Sequence, residues 1–207
     1  MVAKRRETGA YHHGDLRAEL LTAAVALAEE RGIDGLSLRE CARRAGVSHA
    51  APYRHFEDKN ALLSALAEQG FAWLAEAGRA AMEGIEDPRE RLDAYGVAYV
   101  RFAVEHPIHF RLMFTRALPA GPSAPDDCVE QPSPDDAFAL LVATAGEARR
   151  ASGEQALLAG VASWCLPHGL AMLILDGRIP RERVATPEAV SVLAREVLAS
   201  WRGAEIR

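Results

Sequence analysis

The stretch from Ser37 to Lys59, SLRECARRAGVSHAAPYRHFEDK, constrains this chain more than any other. Ser37 and Glu40 stand at the S-x-x-E spacing of a capping box, which starts a helix at Leu38. Leu38, Cys41, Ala42 and Ala45 share one helical face, and Arg39, Arg43 and Arg44 lie off it. Arg43 and Arg44 in the last turn suit the negative end of the helix dipole. Gly46 supplies the left-handed residue that ends the helix. Val47 then returns the chain to the core, and Ser48 caps a second, short helix. The pattern is helix, tight turn, short helix, and at Lys59 the start of a further one.

The short helix is unusual. With Ser48 as its cap, Pro52 sits at the fourth position, where its missing N–H would have closed the first intrahelical bond to the Ser48 carbonyl. Ala50, Ala51 and Pro52 leave a thin surface flanked by Ser48, His49, Tyr53, Arg54 and His55. Such a surface can enter a nucleic-acid groove. Methyls and rings touch a thymine methyl, and hydroxyl, imidazole and guanidinium groups reach base edges or phosphates. The competing reading is a helical hairpin that only packs a core and shows a solvated basic face.

The joint occurrence of Val47-Ser48, Pro52-Tyr53-Arg54-His55-Phe56, Lys59 and Leu62-Leu63 resembles the DNA-binding domain of TetR/AcrR-type transcriptional regulators. The resemblance covers the first quarter to third of the chain. It implies an all-helical protein of about nine helices, with a three-helix DNA-binding domain over residues 1–60 and an effector-binding and dimerisation domain over 61–207. It implies that Ser48, His49, Ala51, Pro52 and Tyr53 face the major groove, that Tyr53, His55 and Lys59 anchor phosphates, and that Arg39 touches DNA from the helix before. It further implies a homodimer on a palindromic double-stranded operator, most often as a repressor, released by a small-molecule effector.

Composition agrees with a helical protein. Alanine and leucine dominate the 207 residues and β-branched residues are few. The net charge of −5 argues against a generic polyanion binder. Yet Lys4, Arg5 and Arg6 form a basic arm, and the segment through Lys59 is nearly balanced. The acidic excess therefore lies in the remainder. Cys41, Cys128 and Cys165 are too sparse for a disulfide framework, and no C-x-x-C pair exists for zinc. The adjacent His12 and His13, and His106 with His109, make poor metal pairs. No metal or cofactor is expected. With no signal segment, and no apolar run of the roughly 18 residues that spanning requires, the sequence reads as cytoplasmic and free of the membrane.

Helical patterns fill the rest. Leu16, Leu20, Ala23, Ala24, Leu27 and Ala28 line a first helix that stops at Gly32. Asp58 caps a long helix to about Gly84, and Asp87-Pro88 opens another to Glu105. A short one follows over His109 to Arg116. The proline-rich stretch Leu118 to Asp136 reads as a loop. Ala137 to Arg150 is helical. Glu154 to Leu175 is apolar nearly all round, which calls for burial on most sides, and Pro167 interrupts its bonding. The last helix starts at Thr186 or Pro187.

Tyr95, Tyr99, Phe102, Phe110, Met113 and Phe114 recur at helical spacing. With Trp164 and His168 they are candidates to line a cavity for an apolar or aromatic effector, or to be plain core. Trp164, His168 and Gly169 look like the Trp-His-Gly signature of one C-terminal subgroup of these regulators. In the resembled family the last two helices of each subunit pack into a four-helix bundle, and both are apolar enough here to need a partner. Catalysis is disfavoured: Ser163, His168 and Asp176 lie in sequence without a G-x-S-x-G elbow, and no phosphate loop or dinucleotide fingerprint is present.

Overall fold

A computed structural model describes residues 16–115 and 134–204. The basic arm, the His12-His13 pair, Cys128 and most of the proline-rich loop lie outside them. Within the described residues the protein is all-helical, with eight α-helices and two 3-10 turns and no strand. The chain divides into two compact units, one ending at Leu62 and one starting at Leu63.

The first unit holds α1 (Leu16–Arg31), α2 (Leu38–Arg44), a 3-10 turn (Pro52–Arg54) and the start of α3 (Lys59–Met82). Its buried side chains include Leu20, Ala24, Leu27, Leu36, Leu38, Cys41, Ala42, Pro52 and Phe56. Gly32 ends α1 at φ +75°. At the end of α2, Gly46 takes φ +71°. There Gly46 N–H donates to Arg43 O (3.3 Å) and Val47 N–H to Ala42 O (3.0 Å). That pair of bonds satisfies the last carbonyls of α2 and turns the chain sharply.

In the second unit α4 (Pro88–Glu105) is the central strut, packed against α6 (Pro134–Arg149), α7 (Gly153–Leu175) and α8 (Pro187–Ala204). The short α5 (Pro107–Met113) follows α4 directly. Asp87 Oδ1 accepts from the N–H groups of Arg89 (2.8 Å) and Glu90 (3.0 Å), with Pro88 at the first helical position. Those two bonds hold the Asp87 carboxyl below its usual range. The core joins Leu74, Met82, Tyr95, Tyr99, Phe102, Phe110, Met113, Leu141 and Ala171. Gly78 of α3 lies directly under the Tyr95 ring, which any β-carbon there would overlap. From that seat the Tyr95 hydroxyl donates to the Ala137 carbonyl at 2.8 Å.

Helix α7 departs from expectation in two ways. It is long and apolar enough to cross a bilayer by length and composition, with a mean hydropathy of 1.7. The absence of such a segment, expected because no unbroken apolar run is long enough, is therefore corrected: Leu, Ile, Val, Ala, Met and Cys outweigh the Gly, Ser, Trp, Pro and His between them. Nor does one chain bury it, since only 22 % of that window is buried. Leu157, Leu158, Val161 and Leu173 stay exposed on α7, as do Val192 and Trp201 on α8.

Candidate nucleic-acid interface and body cavities

The candidate interface is built on a turn, where a short α-helix was expected. Ala51 N–H donates to Ser48 O at 3.0 Å, an i to i+3 bond that occupies the carbonyl an α-helix would have offered to residue 52. Pro52 then needs no donor and opens the 3-10 turn. His55 and Phe56 N–H both donate to Pro52 O at 2.9 Å. The Ser48 hydroxyl is not the cap: the turn has none from a side chain. Phe56 and Pro52 are buried and anchor the turn, while Ser48, His49, Tyr53, Arg54 and His55 are exposed around it. Tyr53 keeps 51 % of its surface open.

Two expected contacts are placed differently. Pro52 was expected to face outward with Tyr53, and it faces the core. Ala51 is half-buried. Lys59, expected to anchor a phosphate, has its ammonium donating to the Asp34 carbonyl at 3.0 Å. An ammonium carries three donors, so that bond holds Lys59 in place without using it up.

Ion pairs sort the arginines of this unit. Glu40 binds Arg43 (2.7 Å) and Arg31 (3.2 Å), and Glu30 binds Arg44 (2.7 Å). The hydrogen bond from Arg43 is the main reason the Glu40 carboxyl lies below its usual range. Glu40 is thereby drawn from the reciprocal half of the capping box. Ser37 Oγ still accepts from Glu40 N–H at 3.3 Å. The Arg17 guanidinium lies over the Phe56 ring, 5.6 Å from its centroid. Arg39 and Arg54 are exposed and make no ion pair among the described residues. Arg54, placed beside the surface by the sequence but given no role by the resemblance, is exposed on the turn. Its signal was present, as the one arginine between Tyr53 and His55 on the exposed turn.

In the second unit the aromatic candidates converge on one hydrogen-bonded knot. Trp164 and His168 stand four apart on α7 and so share a face. Trp164 Nε1–H donates to the Tyr99 hydroxyl at 2.9 Å, and that hydroxyl meets His168 Nδ1 at 2.8 Å. An indole N–H can only donate. The tyrosine hydroxyl can in turn donate to Nδ1, a pairing that suits a neutral His168 with its proton on Nε2. Burial lowers the His168 pKa and favours the same state. Burial also raises Tyr99 well above its usual value. Phe110 and Phe114 pack on His168 with ring centroids at 5.6 and 4.7 Å. Nearby, His109 is buried, its Nε2 3.1 Å from Gln69 Oε1. Burial first, and then His106, lower its pKa to about 4.

Two hollows adjoin this core. One of about 620 Å³ lies among α4, α6, α7 and α8, lined by Tyr95, Tyr99, Leu141, Trp164, Pro167 and Leu198 among others. The other, about 740 Å³, runs along α4 between α3 and α8 and includes Trp73, Phe102 and His106. Of the eight candidates, Tyr95, Tyr99 and Trp164 line the first and Phe102 the second. Phe110, Met113, Phe114 and His168 line neither; they pack into the core behind the first.

Comparison with known proteins gives this arrangement a family. Residues 92–198, more than half of the chain, match the tetracyclin repressor-like C-terminal domain. Residues 20–66 match the bacterial regulatory proteins of the tetR family. The chain belongs to the TetR family. Its members are transcriptional regulators that bind DNA and small molecules and act as dimers; they are not enzymes. The chain is also similar in fold to a protein with unknown function from Rhodococcus sp. RHA1. The two are 37 % identical over 94 % of this chain and 98 % of that one, with a TM-score of 0.69. The tetracycline repressor class A from transposon 1721 of Escherichia coli is 51 % identical over 57 residues, 28 % of this chain and 25 % of that protein. The transcriptional activator FasR of Mycolicibacterium smegmatis is 34 % identical over 98 residues, 47 % of this chain and 45 % of that one. The chain thus spans between a quarter and half the length of these two curated relatives, which include both a repressor and an activator.

Proposed function

We propose that this TetR-family protein is a cytoplasmic, ligand-responsive regulator, read here as a repressor. It binds a palindromic operator as a homodimer and leaves it when a small apolar or aromatic effector enters the body. The carrying observation is the turn at Pro52–Arg54. Two buried residues hold it while Ser48, His49, Tyr53, Arg54 and His55 project as one polar row, with Arg39 uncommitted nearby. A core-only hairpin has no use for a tyrosine half open to water beside an exposed arginine.

The homodimer reading rests on α7 and α8. Leu157, Leu158, Val161 and Leu173 remain uncovered in one chain. Gly169 lies on the same helix, and a β-carbon there would meet nothing within 4 Å. Glycine inside a helix costs about 1 kcal/mol relative to alanine. Nothing among the described residues requires it, whereas a closely crossing partner helix would. Packing α7 and α8 against their copies would cover the stripe and form the four-helix bundle. Trp164, His168 and Gly169 are the residues by which we assign the chain to the Trp-His-Gly subgroup.

The experiment is a mobility shift with the DNA upstream of the protein's own coding sequence, repeated across salt concentrations. Binding should weaken steeply as salt rises. Tyr53→Ala should lower affinity about tenfold or more with an unchanged melting temperature. A dimer that ignores all duplex DNA at low ionic strength would end this reading.

A further inference from the structure

The 620 Å³ hollow carries a charge preference as well as a shape. Its walls are apolar, with Leu92, Tyr95, Leu141, Trp164, Leu198 and Trp201 contributing the large side chains. Its polar residues are Arg89, Asp93, Arg149, Gln155 and Ser163. Asp93 and Arg149 already have partners within the protein. Asp87, at the same end of α4, spends its carboxylate on the backbone N–H groups of Arg89 and Glu90. Arg91, next along, is bound to Glu147 at 2.7 Å. The Arg89 side chain is exposed at the cavity edge; its charge helps to lower Asp87, but it makes no close ion pair among the described residues. The larger groove offers no such bias. Its rim holds Glu90, Asp93 and Glu105 against Arg101 and Arg195, and Arg101 is bound to Glu105.

We infer that the cavity takes an amphipathic organic anion, its ring or chain held between Tyr95, Leu141 and Trp164 and its carboxylate or sulfonate held by Arg89. This rests on the reading of the body as the effector-binding part and adds the ligand's chemical class. The volume suits a drug-sized molecule. A wholly apolar ligand would leave the guanidinium unused. A cation would meet the Arg89 guanidinium at the cavity edge. An anion gains a charge-assisted, bidentate contact at a site bordered by apolar walls, where such a contact is stronger than in water.

Two probes with the same ring skeleton test this on the full chain: anilinonaphthalene sulfonate and its uncharged parent, phenylnaphthylamine, each titrated by probe fluorescence. The sulfonate should bind one per chain, about tenfold or more tighter than the parent. Arg89→Gln should remove that advantage by weakening the sulfonate about tenfold while leaving the parent within about twofold. Ala159→Trp, which fills the cavity from α7, should abolish binding of both. Equal affinities, or a sulfonate indifferent to Arg89→Gln, with Ala159→Trp still blocking both, would overturn the anion preference and leave the cavity as a ligand site. Failure of both probes to bind, or indifference of both to Ala159→Trp, would overturn the cavity reading and the anion proposal together.

Discussion

The two units of this protein expose opposite kinds of surface. In the first, every large apolar side chain near the candidate interface except Tyr53 is turned inward or half-buried; the turn itself shows hydroxyl, imidazole and guanidinium groups, with the Glu57 and Asp58 carboxylates exposed just after it. In the second, apolar side chains along α7 and α8 remain outside, and the polar tyrosine, tryptophan and histidine are drawn in to satisfy one another. The lesson is that burial alone identifies neither function. A polar row on a rigid turn and an apolar stripe without a cover are both unfinished surfaces, and on the proposed reading each takes a different partner: a polyanion for the first, a second chain for the second.

The comparison breaks most visibly at Phe56. Phe56→Ala removes the ring that anchors the interface turn and should cost the first unit about 3–5 kcal/mol. Hydrogen exchange should rise throughout α1 and α2 and stay unchanged in α4 and α6, because the two units carry separate cores. Equal loss of protection in both would mean they share one cooperative core.

On the apolar side, Leu158→Glu with Val161→Glu places charge on side chains 61 % and 40 % exposed. The chain should stay folded, with association weakened by about 3 kcal/mol or more. Sedimentation should show monomers at concentrations where the parent is dimeric. An unchanged dimer would move the interface elsewhere.

The buried polar groups sharpen the contrast through pH. His109 is held at about 4 against an ordinary 6.5, chiefly by burial. As pH falls below 6.5 the unfolded chain takes up the proton first. Stability attributable to this residue is therefore complete above 6.5 and is lost progressively toward pH 4. At pH 5 the loss should be roughly 2 kcal/mol, and His168, lowered in the same direction, adds to it. His109→Gln keeps a donor for Gln69 and should flatten this slope in denaturant titrations at pH 5 and 7.5. A slope identical to the parent's would place the titrating group elsewhere.

The smallest effect expected is at the start of α2. Ser37→Ala should cost about 1 kcal/mol, since the hydroxyl meets one otherwise unpaired N–H. Thermal unfolding would show it in the first unit alone.

What could be read in advance was local. Ser37, Gly46, Asp58 and Asp87 act within four residues of themselves, so the ends of α2, α3 and α4 were legible. The TetR resemblance likewise rested on residues close together in sequence. The rest depended on distant partners or on geometry finer than periodicity. Lys59 is held by a backbone carbonyl 25 residues earlier, which no side-chain pattern announces. Trp164 and His168 meet Tyr99 across 65 and 69 residues. The difference between an α-helix and a 3-10 turn at Pro52 came down to the Ser48 carbonyl, which Pro52 has no N–H to meet and which Ala51 N–H takes instead. Spacing alone could not separate Phe110 and Phe114, packed in the core, from Tyr95, Tyr99 and Trp164, which border open space.

One contact has mechanical weight. Tyr95 occupies the place of a side chain that Gly78 lacks, and its hydroxyl is tied to the carbonyl of Ala137. It works as a key set into a slot on α3 and pinned at its far end to α6. Within the body, α3 cannot rotate or slide past α4 at this level unless the ring leaves the slot. A displacement arriving at α6 would therefore be passed to α3 as a rigid push, with little lost to side chains rearranging in between.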